Sequence, residues 1–122
     1  MTELDQYKNL YEEFCEWILG IEEDDPLPPE IEFVYFVFST NQGMNVLQYA
    51  GCEFEPKIIC SFDHFPLEAQ FFHSRDFLRI GSEQAKQFGT LFASEIKNDE
   101  RFQNLFKEKI IRFVEFGALA KQ

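Results

Sequence analysis

Long apolar runs are missing from this sequence. The most apolar stretch, around Val34 to Phe38, is a small fraction of the about 20 residues a helix needs to cross a bilayer, so no membrane span is expected. The start, MTELD, offers acid where a secretory signal needs a basic region followed by an apolar one, and export is not expected either. Cysteine is sparse. Three thiols, Cys15, Cys52 and Cys60, are an odd set and too few for the disulfide framework of a small secreted domain. All three read as reduced and the chain as cytoplasmic. Internal repeats and low-complexity segments are also lacking, which excludes a solenoid.

Positive charge is scarcest in the first third. Residues 1 to 32 carry eleven carboxylates against one base, Lys8, whereas the other ninety residues carry eleven acids against ten bases. Nearly all of the net charge of -11 is therefore gathered at one end. Phosphate backbones demand clustered Lys and Arg, so nucleic-acid binding is not expected there, and a cationic partner is favoured. The bland alternative is that the acids keep a Phe-rich chain soluble.

Core material is plentiful: 45% of the residues are apolar and 16 are Phe. A chain of 122 residues buries roughly two-thirds of its unfolded surface, enough for a single domain spanning 1-122. Leu4, Tyr7, Tyr11, Phe14, Ile18 and Ile21 repeat at three and four residues, one face of a helix, with Leu10 and Trp17 widening it. Thr2 is placed to cap that helix and Gly20 to end it, with Glu12, Glu13 and Glu16 facing water. Three prolines in EEDDPLPPE (22-30) predict an extended connector within the domain.

Ile31 to Thr40 is rich in β-branched and aromatic residues on both alternating sets, a strand that needs cover on both faces. Asn41, Gln42 and Gly43 form a turn into a second strand, Met44 to Cys52, and EFEP leads to a third, Lys57 to Phe62. The irregular stretch from Asp63 to Gly81 admits short strands at 71-72 and 77-80, or a short helix over Leu67 to Phe72. Ser82 caps a helix with Ala85, Phe88, Leu91, Phe92 and Ile96 inward. Asp99 caps a last helix carrying Phe102, Leu105, Phe106, Ile110, Phe113 and Val114 inward, with Arg101, Lys107 and Arg112 outward and Gly117 as its stop. The expected fold is α+β: an antiparallel β-meander of three to four strands with an N-terminal helix and two C-terminal helices packed on it.

Motifs for chemistry are few. Cys60 and His64 are the one thiol and imidazole pair close in sequence, and buried cysteine is usually inert. Cys52, Cys60, His64 and His73 offer a zinc-type donor set, but without the close pairs that preform such sites, so no metal or cofactor is expected. Cys60, His64, Glu68, His73, Arg75 and Asp76 form the alternative small-ligand or small-enzyme site. Calcium at Glu22 to Asp25 lacks the ligand pattern of an EF-hand.

The leading expectation is a non-enzymatic protein-binding module. Its contacts are Glu12, Glu13, Glu16, Glu22, Glu23, Asp24 and Asp25, offered to a basic protein partner. A structural homodimer is the further alternative, required if one face of the first strand lacks cover. The acidic helix, the Pro-rich connector, the meander and the segment Gln48, Tyr49, Ala50, Gly51, Cys52, Glu53, Phe54 together resemble small bacterial immunity-type proteins of polymorphic toxin systems. That resemblance implies an inhibitor that blocks a cationic toxin surface.

Overall fold

A computed structural model describes residues 3-53 and 71-115. The first helix, α1, spans Glu3–Asp24. It runs through Gly20 rather than ending there, because Ile21 continues the buried stripe of Leu10, Phe14 and Ile18 and Asp25 N still donates to Ile21 O at 2.7 Å. Pro26, with no N–H and a locked φ, is the first residue that cannot extend the ladder.

Strands β1 (Phe33–Asn41) and β2 (Met44–Cys52) form the expected hairpin. Its two turn residues, Gln42 at φ 53° and Gly43 at φ 79°, both take the left-handed region that matches strand twist. The expected third strand at 57-62, the helix alternative over 67-72 and the stop at Gly117 lie wholly or largely outside the described residues, as does the Thr2 cap.

Residues 77-80 are not a strand: Arg75–Arg79 form a short helix, α2, capped by Ser74 Oγ, which accepts from Phe77 N at 3.2 Å. Asn45, buried on β2, donates from Nδ2 to Phe77 O and Ile80 O at 2.8 Å each, which satisfies carbonyls at the end of that helix. Only Phe71 keeps strand character, through a bridge to Gln48.

The larger correction is at the C-terminal end. Helix α3 spans Ser82–Ile96, with Gly81 rather than Ser82 at its cap. Asp99 does cap the next element, but that is one 3-10 turn, Glu100–Phe102, and not a helix of several turns. The chain then enters strand β3, Ile110–Glu115, parallel to β1 with Phe33 opposite Ile110 and Phe38 opposite Glu115. The sheet is thus mixed, in the order β2-β1-β3. Helical spacing of Phe102 and Phe106 masked the change, since both are buried as expected. Ile110, Ile111, Phe113 and Val114 are β-formers, and β1 had an edge for them to pair with.

The even-numbered side of β1 (Val34, Phe36, Phe38) lies under α1 and α3 in one aromatic core. Phe14 is its hub, with ring centroids 5.1 Å from Phe36 and 5.2 Å from Phe92. Gly89 lets β3 approach α3: a Cβ there would stand 2.5 Å from the Phe113 ring. The odd-numbered side is buried too, at Tyr35, Val37 and Cys52. Both faces of β1 are therefore covered within one chain, and the condition that would have required self-association is not met at these residues. No described helix is long and apolar enough to cross a membrane.

Candidate partner-binding surface

Helix α1 divides its carboxylates by direction. On a 100° wheel Asp5, Glu12, Glu16 and Glu23 fall within one narrow strip opposite Phe14 and Ile18. Their fates differ because other parts of the chain reach some of them.

Glu12 receives both terminal nitrogens of Arg101, at 3.0 and 3.2 Å, from 89 residues away. Arg101 also grips Asp99 through Nε at 3.0 Å and Nη2 at 2.9 Å. Asp99 in turn accepts from Tyr11 Oη at 3.0 Å. The guanidinium holds the Asp99 carboxyl far below the usual carboxylate range, and the two carboxylates raise Arg101 further. Burial, with Asp99 beside it, keeps the Tyr11 phenol protonated, and burial pushes the Cys15 thiol up to about 11. That thiol is an inert core group.

Glu13 accepts from Ser74 Oγ, the cap of α2, and so ties α1 to the segment before that helix. Glu22 is half-buried and accepts from Leu27 N at 3.1 Å, which fixes the entry to the connector. Burial raises its pKa more than that bond lowers it. The connector is clamped from the other side by Lys109, whose Nζ donates to Pro29 O at 3.1 Å and to Ile31 O.

Of the seven acids expected to meet a partner, Glu12, Glu13 and Glu22 thus hold the fold together. Asp25 is half-buried. Glu16, Glu23 and Asp24 point to solvent, and they are what remains of the expected docking surface. Sequence spacing could place Glu12, Glu13 and Glu16 on a helix and the other four in the connector, but could not find Arg101 or Ser74, which meet α1 only through the tertiary fold.

The alternative ligand site is only partly visible. Cys60, His64 and Glu68 lie outside the described residues. His73, Arg75 and Asp76 are exposed around the start of α2, while Cys52 is fully buried on the odd-numbered side of the sheet. Among the described residues no three His, Cys, Asp or Glu side chains are grouped as metal ligands would be.

Sequence reasoning missed a groove between α1 and α3. Contacts advance together along both helices, Gln6 with Gln84, Tyr7 with Phe88 and Tyr11 with Phe92, so the two run in the same direction. Leu4 and Leu91, each expected on an inward face, are instead 60% and 48% exposed. No family model, curated protein or solved structure matches the chain.

Proposed function

We propose that this protein is a non-enzymatic binding module that offers the outer side of α1 to a basic protein partner, in the manner of an immunity or inhibitor protein set against a cationic surface. The carrying observation is where Glu16, Glu23 and Asp24 sit: all three are exposed, and Glu23 and Asp24 close a helix whose last turn has no basic residue. Carboxylates at a helix C-terminus oppose the macrodipole, each costing about 0.3-1 kcal/mol at a surface. Solubility alone is served equally well by acids placed where they do not oppose a helix. An acidic cluster kept at an unfavourable position fits a role in recognition, where complementary fields speed encounter and suppress wrong partners.

The test compares two variant sets for binding to a partner purified from native lysate. Glu16→Gln with Glu23→Gln and Asp24→Asn is expected to weaken binding at least tenfold, about 1.4 kcal/mol. Substituting acids of the balanced remainder, such as Glu83→Gln with Glu100→Gln, is expected to change it little. Equal affinity across both sets contradicts the reading.

A further inference from the structure

Leu4, Tyr7, Phe88, Leu91 and Glu95 line a solvent-open groove of about 380 Å³ between the parallel helices α1 and α3. Among the described residues Leu4 and Leu91 are two of the large apolar side chains standing in water, and here one from each helix flanks the same groove. Its floor carries a polar group: Tyr7 Oη is shielded from solvent and lies beside the Glu95 carboxylate without a hydrogen bond of good geometry. Burial and the nearby Glu95 carboxylate keep that phenol protonated and so able to donate.

Charge decides among the occupants. A second copy seated here would bring two strongly acidic chains together, with Glu95, the one charged group among the described lining residues, facing its own counterpart. An anionic membrane is repelled for the same reason. A helix with an apolar stripe and a basic flank matches both properties, because leucine-like side chains at i, i+3 or i+4 and i+7 fill an interhelical groove while Lys or Arg meets Glu95.

We propose that the α1-α3 groove is a docking site for a basic amphipathic helix of a protein partner. The proposal rests on the reading of a basic partner and adds an apolar contact at the start of α1 beside α3, apart from Glu16, Glu23 and Asp24 further along that helix.

Three synthetic 15-residue peptides, fluorescently labelled, test it by anisotropy on the intact protein: a Lys/Leu amphipathic helix, a Lys/Ser peptide of equal charge and a Glu/Leu helix with the same apolar stripe. The expected order is Lys/Leu tightest, Lys/Ser weaker and salt-sensitive, and Glu/Leu without binding. Leu91→Ser and Leu4→Ser each lower Lys/Leu affinity about tenfold, since each removes most of one leucine's buried area. They leave Lys/Ser unchanged, and Leu91→Met retains binding. Equal affinity for Lys/Leu and Lys/Ser, or leucine variants without effect, overturns the groove and leaves the acidic-face reading standing. Binding of Glu/Leu as tight as Lys/Leu overturns the choice of a basic occupant. Absence of binding by both lysine peptides overturns the groove and the acidic-face reading together.

Discussion

Asp99 joins four donors, Tyr11 Oη and the backbone N, Nε and Nη2 of Arg101, at the junction where α1 meets the turn after α3. Because its pKa is depressed on folding, its contribution to stability is present above the unfolded value of about 3.9 and is lost as pH falls through the lower folded value. Asp99→Asn is expected to cost about 2 kcal/mol at pH 7, and the gap to wild type in thermal melts should close as pH drops below about 4. A gap constant down to pH 2 would contradict that role. Glu22 works in the opposite sense, since burial raises its folded pKa. Its protonated form favours folding below the unfolded value of about 4.3, and that advantage is lost as pH rises through the folded value. Glu22→Gln keeps an oxygen for Leu27 N and removes the charge. It should therefore melt above wild type at pH 7, with the difference vanishing near pH 4. Which carboxylates are structural and which are exposed was not legible in the sequence. Glu12 and Glu16 share a strip of α1, and only Arg101, brought in by the fold, tells them apart.

Elements with their own local signals were legible: the α1 stripe, the Gln42-Gly43 hairpin and the face of α3 each depend on neighbours within a few residues. Strand β3 was not, because its reason for being extended is the edge of β1, which begins 77 positions earlier at Phe33 opposite Ile110. Pairing across the sheet overrode a helical reading in which Phe102, Phe106, Ile110 and Phe113 share a face. Gly89 supplies the test of that packing. Alanine would gain up to about 1 kcal/mol in helix propensity, whereas forcing its Cβ against the Phe113 ring costs about 1-3 kcal/mol. Gly89→Ala should accordingly lower the melting temperature in wild type and raise it in a Phe113→Leu background, where the ring is gone. The same sign in both backgrounds would mean β3 does not lie against α3 at this point.

Across the whole molecule, the first 32 residues carry nearly all of the net -11, and the fold consumes part of that charge in Arg101, Ser74 and Leu27 while leaving Glu16, Glu23 and Asp24 outside. Stability and recognition should then pull apart at the end of α1. Asp24→Lys places a cation where the macrodipole favours one, and should stabilise the fold by about 0.3-1 kcal/mol while weakening association with a basic partner. A variant that gains in both, or loses in both, would contradict the separation. The most direct measurement is the association rate constant for the purified partner, by stopped flow, from about 50 to about 500 mM salt, across which the Debye length shrinks from roughly 14 to 4 Å. The rate should fall steeply with salt for wild type and nearly flatten for the Glu16→Gln, Glu23→Gln, Asp24→Asn variant. A wild-type rate indifferent to ionic strength would show that the exposed acids of α1 do not guide the encounter.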